Sequence, residues 1–140
     1  MPSYDEVEVG TELPGQTFAI ERANLVRYAG ASGDFNQIHW NQRFATEVGL
    51  PDVIAHGMFT MAQAGRVLTD WAGDPGAVEE YGVRFTKPVV VPDDGTGAEL
   101  VVTGVVKEKL ADRRVRVELT ARSSDEKVLS QARAIVRLAG

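Results

Sequence analysis

The C-terminal part of the chain alternates between apolar and polar residues in several segments of similar length. The alternation is most regular at residues 114–122, where every second residue is apolar, as in a strand with one buried face. We predict strands at residues 83–91, 98–107, 114–122 and 127–138. Because short polar turns separate the last three, these are predicted to form an antiparallel meander.

The N-terminal part follows a different period. Apolar residues near helical spacing predict a helix at 22–31, after a short strand at 16–20 and an irregular lead-in. Asn41 is placed to cap a second, short helix, which Gly49 and Pro51 would end. The first half of the chain is therefore predicted to be mainly helical and the second half to form the sheet.

A long helix is predicted at residues 56–71, and it is apolar on nearly every face. A helix with so little polar surface is predicted to be buried. One buried helix packed against an antiparallel sheet is an α+β fold. At 140 residues the chain has the size of a single domain, 1–140.

Composition narrows the range of functions. There is no cysteine, which excludes disulfides, thiolate nucleophiles and cysteine-ligated metals. A formal net charge of −5 disfavours non-specific nucleic-acid binding, which needs a basic surface. Neither a signal-peptide pattern nor a membrane-spanning apolar run is visible, so the cytoplasm is the expected location.

The stretch between the first two predicted helices carries an acid and an imidazole. Gly33 interrupts the apolar pattern, and Asp34 and Asn36 favour turns, so Asp34 and His39 are predicted to share one loop. A carboxylate beside an imidazole can perform general acid–base chemistry near neutral pH. Alternatively, Asp34 caps the next segment and His39 is a half-buried histidine with its hydrogen bonds satisfied.

Two motifs lie on either side of the short helix. The chain reads Tyr28-Ala29-Gly30-Ala31-Ser32-Gly33-Asp34-Phe35-Asn36-Gln37-Ile38-His39 and, further on, His56-Gly57-Met58. Both motifs resemble those of the MaoC-like hydratase/dehydratase family, although Gln37 stands where that family usually has proline. Residues 74–86 and 94–100 also resemble the B subunit of the mycobacterial type II fatty-acid synthase (3R)-hydroxyacyl-carrier-protein dehydratase.

The resemblance implies a single hot-dog domain, in which the antiparallel sheet wraps around a long central helix. It implies a (3R)-hydroxyacyl-thioester dehydratase or trans-2-enoyl-thioester hydratase of fatty-acid elongation, without a cofactor, in which Asp34 and His39 form the catalytic dyad. The family's backbone oxyanion donor corresponds to Gly57, where the first helical N–H groups also lack internal acceptors. Asn36 is predicted to hold the loop in register, or to be a simple turn former.

Small residues recur on the predicted central helix. Ala62 and Gly65 either line an acyl tunnel, which bulkier residues would close, or satisfy the packing of the helix against the sheet. Together with Asp34 and His39, His56 suggests a metal site, but the spacing and the lack of cysteine fit the common zinc patterns poorly. We expect no metal, and we expect His56 to cap the helix or to pack beside the dyad.

Two other functions stay open. A hot-dog thioesterase would need a carboxylate on or near the central helix, and this helix carries none before Thr69. A non-catalytic acyl-binding partner subunit would not need both Asp34 and His39. The expected partners are an acyl thioester of acyl carrier protein or coenzyme A and a second hot-dog subunit, in a homodimer or a heterodimer. Neither nucleic acid nor a membrane span is expected.

Overall fold

In the computed structural model, which describes residues 1–140, five strands form one antiparallel sheet. The strands are β1 (Glu12–Ile20), β2 (Val78–Phe85), β3 (Ala98–Lys109), β4 (Arg114–Ser123) and β5 (Glu126–Arg137). The helices are α1 (Arg22–Ser32), α2 (Gln42–Glu47) and α3 (Gly57–Ala72). The strand order is β1-β3-β4-β5-β2, so β1 and β2 are the two edges. The predicted α+β class is confirmed.

The meander of β3, β4 and β5 agrees closely with the alternating pattern. Ser123 pairs with Glu126 across a two-residue turn, and the turn residues Ser124 and Asp125 have φ angles of 50° and 61°. A hairpin turn with two left-handed residues follows the right-handed twist of its strands, and aspartate tolerates that conformation. The turn therefore fixes the register in which the apolar residues of β4 and β5 share one face.

The longest helix, α3, lies against the inner face of the sheet. Its residues Ala64, Val67 and Leu68 are at most 1% exposed. Because α3 contacts both edge strands as well as β3 and β5, the sheet curves around the helix, which is the hot-dog arrangement. Neither α3 nor any other helix is long and apolar enough to span a bilayer.

One face of α3 points away from the sheet. Met58 is 58% exposed, and Ala62, Arg66 and Asp70, which follow at helical spacing, are exposed as well. The prediction that this helix is buried on nearly every face is therefore wrong for the single chain. The exposed face is apolar at Met58 and Ala62 and charged at Arg66 and Asp70, so the high apolar content of the whole helix conceals its one solvent-facing side.

The two edge strands differ from their predicted positions. The strand predicted at residues 83–91 is instead β2, which ends at Phe85, and residues 86–97 form only an isolated bridge between Val90 and Ile54. Proline at position 88 lacks the N–H that a strand ladder needs. At the other edge β1 begins before residue 16, with a register shift between Leu13 and Gln16. An edge strand pairs with a neighbour along one side only. Fewer contacts therefore constrain its residue types, and its sequence pattern is weaker than that of a central strand.

Candidate active site

The loop after α1 is shaped by its own side chains. Gly33 ends the helix in the left-handed conformation, with a φ of 78°. The side chain of Asp34 accepts a hydrogen bond from Asn36 N at 3.1 Å, and that of Asn36 accepts one from Ile38 N at 3.2 Å. These two consecutive turns lead into a single 3-10 turn that ends at His39. These side-chain bonds shape the loop from within its own sequence.

Gln37, the residue that departs from the family pattern, has a bond of its own. Its side-chain oxygen accepts a hydrogen bond from Asn41 Nδ2 at 2.8 Å. Asn41 in turn accepts from Phe44 N at 3.3 Å and so caps α2 as predicted. The loop and the start of α2 are therefore joined by a side-chain bond that a proline could not make.

His39 is held by a backbone carbonyl. Its side chain is buried, and Nδ1 lies 2.7 Å from the carbonyl oxygen of Ile54. Because a carbonyl oxygen only accepts, Nδ1 carries the proton, and the neutral ring has its lone pair on Nε2. Nε2 lies 3.9 Å from Oδ2 of the exposed Asp34. This distance is too long for a direct hydrogen bond and suits a bridge through one water molecule.

A cavity of about 360 Å³ opens beside His39. Gly57, at the N-terminus of α3, lines the same cavity, and most of the other lining atoms are apolar. The lining residues are Ile38, His39, Ile54, Ala55, Gly57, Thr60, Phe85, Thr86, Lys87, Pro88, Val89 and Val128. The predicted proton-transfer group and the predicted oxyanion donor therefore share one apolar space, with Asp34 beside it.

Gly57 is the first residue of α3. Its N–H has no acceptor within the helix and lies at the positive end of the helix dipole. A Cβ at this position would come within 3.1 Å of the Phe85 ring. Glycine therefore lets the Phe85 ring pack closely against the first residue of α3.

Two predicted site residues lie elsewhere. Ala62 is on the exposed face of α3, and Gly65 packs against Tyr81, whose ring would be 3.0 Å from a Cβ at Gly65. The hydroxyl of Tyr81 donates to the carbonyl oxygen of Met61 at 2.7 Å. Neither small residue lines the cavity beside His39. Helix–sheet packing thus accounts for Gly65, and a tunnel lined by these residues stays a prediction.

His56 lies directly behind the dyad. It holds the N-cap position of α3 without a capping bond from its side chain. Instead, its ring stacks on that of His39, with the centroids 3.8 Å apart and the planes at 22°. Burial lowers the pKa of His56 below its ordinary value, and the charge of His39 lowers it further, against the hydrogen bond to Asp34 and the charge of Asp34, which raise it. His56 is therefore neutral at physiological pH.

Asp34, His39 and His56 are the residues that could together ligate a metal, since one ligand atom of each lies within 4.8 Å of the others. Nδ1 of His39 and Nε2 of His56 are both bonded to carbonyl oxygens. The remaining nitrogens lie in the planes of two nearly parallel, stacked rings, so their lone pairs do not converge well on one ion. The three residues therefore fit a metal ion poorly.

A family model, the MaoC like domain, matches residues 6–126 of the chain. The chain belongs to this family.

Relatives of the MaoC-like chain include a 3-hydroxyacyl-thioester dehydratase X of Mycobacterium tuberculosis. It is 48% identical over 79 residues, which are 56% of this chain and 27% of the relative. A 3-hydroxybutyryl-CoA dehydratase of Methylorubrum extorquens is 31% identical over 128 residues, covering 90% of this chain and 78% of the relative. A solved structure described as a MaoC-like dehydratase is 42% identical with a TM-score of 0.95, covering 99% of this chain and 42% of that one. The MaoC-like chain therefore spans less than half the length of the first and third of these proteins.

Several residues of this MaoC-like site were not predicted to belong to it, although Tyr28 and Phe85 lie in segments that carry the family resemblance. Ile54 acts through its backbone carbonyl, which any residue type could supply. Phe85 reaches the cavity from the end of β2, and Tyr28 reaches His56 from α1, with ring centroids 4.7 Å apart. Only the fold brings these segments together, so the local sequence pattern could not show that they meet at one site.

Proposed function

We propose that this MaoC-like chain interconverts (3R)-3-hydroxyacyl thioesters and trans-2-enoyl thioesters by removing or adding water. The observation that most supports this reaction is the distance of 3.9 Å between Asp34 Oδ2 and His39 Nε2. The two groups lie beside a cavity that is also lined by Gly57, the first residue of α3. The two relatives named as dehydratases of 3-hydroxyacyl substrates support the same reaction class. The match covers only 27% of the Mycobacterium relative, so the activity in that protein's name is part of the proposal for this chain.

Dehydration breaks the C2–H bond and the C3–O bond and forms the C2=C3 double bond. One member of the dyad takes the C2 proton, and the hydroxyl leaves as water after it receives a proton. In the reverse direction, a water held between Asp34 and His39 adds its oxygen to C3, and C2 gains a proton. His39 Nε2 suits this exchange because the Ile54 carbonyl keeps the other ring nitrogen protonated.

The thioester oxygen gains negative charge as the C2 proton leaves. We assign its stabilisation to the N–H of Gly57, a residue that lines the cavity at the start of α3. A fixed donor of this kind stabilises the transition state more than the ground state because the charge develops only during reaction. The apolar lining of the cavity strengthens the interaction by excluding water.

A thioesterase fits the site less well. That reaction needs a base for a water that attacks the carbonyl carbon, usually a carboxylate near the central helix. Asp70 is the acid of α3, and it is exposed near the far end of the helix, where it accepts a hydrogen bond from Gln16 at 2.9 Å. A purely acyl-binding role leaves the pairing of Asp34 with His39 unexplained.

We further propose that the working enzyme pairs with a second hot-dog subunit, identical or different, and takes its acyl group from coenzyme A or acyl carrier protein in fatty-acid metabolism. The exposed face of α3, which includes Met58 and Ala62, and the unpaired edge at β2 support such a pairing. A partner would cover apolar surface and an open sheet edge, both of which are costly in water.

The test is hydration of trans-2-enoyl-coenzyme A substrates of several chain lengths, followed by loss of the conjugated thioester absorbance. Chiral analysis of the product should give the 3R alcohol. Asp34→Asn, which keeps the size of the side chain, serves as the matched control and should lower kcat/KM by about 10²–10⁴. Absence of hydration by the folded protein, both alone and coexpressed with candidate second subunits, would show that the proposal is wrong.

A further inference from the structure

His56 is a buried side chain that contacts both members of the dyad without reaching the cavity. It is 2% exposed and does not line the cavity. Its ring stacks on that of His39 at 3.8 Å and meets the ring of Tyr28 at 4.7 Å. The side chain therefore fills the space behind the imidazole that faces the substrate.

The orientation of this ring is fixed by one hydrogen bond. Nε2 of His56 lies 3.1 Å from the backbone carbonyl oxygen of Asp34. Because that oxygen only accepts, Nε2 carries the proton and Nδ1 keeps the lone pair. Nδ1 is buried and has no partner. A buried polar atom without a partner is destabilising, so packing alone would favour an apolar ring here.

His56 is also joined directly to the oxyanion donor. It is the N-cap residue of α3, its carbonyl accepts the N–H of Thr60 at 3.1 Å, and the next amide is that of Gly57. The position of the His56 backbone thus decides where the first free N–H of the helix lies. One residue therefore contacts the Asp34 loop, the His39 ring and the Gly57 peptide.

We propose that His56 is the positioning residue of the site, holding the Asp34 loop and the His39 ring in register with the Gly57 amide. Its kinetic consequences rest on the proposed function. The titratable groups in contact with it are Asp34 and His39 on the loop and Tyr28 on α1. Burial lowers the pKa of His56, so His39 can take a proton during turnover without facing a second cation across the stack.

Two substitutions separate the two contacts. His56→Gln keeps an N–H donor for the Asp34 carbonyl and loses the ring stack, whereas His56→Phe keeps the ring and loses the donor. For both variants we expect kcat of enoyl-thioester hydration to fall about 10–100-fold, because small displacements of reacting groups are costly. KM should change little, since His56 does not touch the cavity.

Ring-nitrogen NMR gives a readout that does not depend on activity. The chain has two histidines, so their signals are simple to assign. In the wild-type protein we expect His39 to be protonated on Nδ1 and His56 on Nε2. In His56→Phe the Nδ1–H signal of His39 should broaden or give way to the other tautomer, because the stacked ring is no longer anchored to the Asp34 carbonyl.

Val106→Ala is the matched control for lost stability, since Val106 is fully buried in β3 and does not line the cavity. It should leave kcat of the folded enzyme and the His39 signal unchanged. Wild-type kcat and an unchanged His39 signal in both His56 variants would overturn the proposal, as would losses no larger than that of the control. If the wild-type protein hydrates no thioester, either alone or coexpressed with candidate second subunits, the proposed function is wrong, whereas the ring spectra still decide the positioning role.

Discussion

The ring of Phe85 lies against the α-carbon of Gly57, so that a Cβ built on Gly57 would come within 3.1 Å of it. Both residues line the cavity beside His39, and Phe85 is 51% exposed. Because Phe85 ends β2 and Gly57 begins α3, the contact joins the edge of the sheet to the helix N-terminus. The proposed oxyanion donor therefore lies beside an aromatic ring that is half exposed to solvent.

Gly57→Ala should lower kcat of hydration by roughly 10²–10³, the value of one oxyanion donor. The added methyl group crowds the first amide of α3, where the thioester oxygen is proposed to bind. Thermal stability should change little because the half-exposed Phe85 ring can shift and alanine favours helix. Hydration rates and thermal melts of the same samples measure both effects.

The double variant Gly57→Ala/Phe85→Ala tests the cause of that loss. It removes the ring that the new methyl group would displace. Activity should stay low if crowding at the amide is responsible. Recovery to the rate of Phe85→Ala alone would mean that the displaced ring caused the loss, and crowding at the amide would then be ruled out.

Asp34→Asn and His39→Gln should each lower kcat/KM by about 10²–10⁴, the usual contribution of one proton-transfer group. The double variant should be about as slow as the slower single variant, because both side chains act on the same water and the same substrate. Far-UV circular dichroism of all three variants checks that they are folded. Strictly additive losses would contradict a dyad that acts as one unit.

The helices and the meander could be predicted because their signals are local. Asn41 caps α2 through its own side chain, and the alternation of β4 follows from one buried face. The edge strand β2 could not be placed, because none of its residues is buried and its partner β5 is distant in sequence. The exposed face of α3 was missed because its two charged residues, Arg66 and Asp70, are few among the apolar residues that predict a buried helix.

The candidate site likewise has a part that local sequence predicts and a part that depends on the packing of distant segments. Asp34, Asn36 and His39 lie on one short loop, so a sequence motif could reveal them. The carbonyl of Ile54 and the stack with His56 depend on the packing of the segment before α3 against that loop. Membership of the MaoC-like family followed from the motifs, whereas the narrower likeness to a dehydratase B subunit stays a prediction.

Acid should destabilise the protein through His56. Burial lowers its folded-state pKa below the ordinary value of 6.5, so the unfolded chain binds a proton more readily than the folded one. The stabilisation is present above pH 6.5 and is lost as the pH falls towards the folded-state pKa. As the pH is lowered from about 8 to about 5, the melting temperature of the wild-type protein should therefore approach that of His56→Gln. A constant difference between the two melting temperatures across that range would argue against a neutral, buried His56.

Gly65→Ala should destabilise the fold by about 1–3 kcal/mol through overpacking. The new methyl group would lie 3.0 Å from the Tyr81 ring, which the bond to Met61 holds in place. In a Tyr81→Leu background the same change should become neutral or stabilising by up to about 1 kcal/mol, since alanine is the better helix former. Urea unfolding measures both values. An equal loss in the two backgrounds would show that another neighbour is responsible.

Alkaline conditions test the burial of Tyr81. Burial raises its pKa from 10.0 to about 12, because the phenolate is poorly solvated between α3 and β2. The folded state thus holds this proton more tightly than the unfolded chain, so the stabilisation is complete below pH 10.0 and is lost as the pH rises towards about 12. An absorbance titration of the protein's three tyrosines should show one late phase, and Tyr81→Phe should remove it. Titration of all tyrosines together near pH 10.0 would mean that the Tyr81 hydroxyl is open to solvent and that its bond to Met61 does not form.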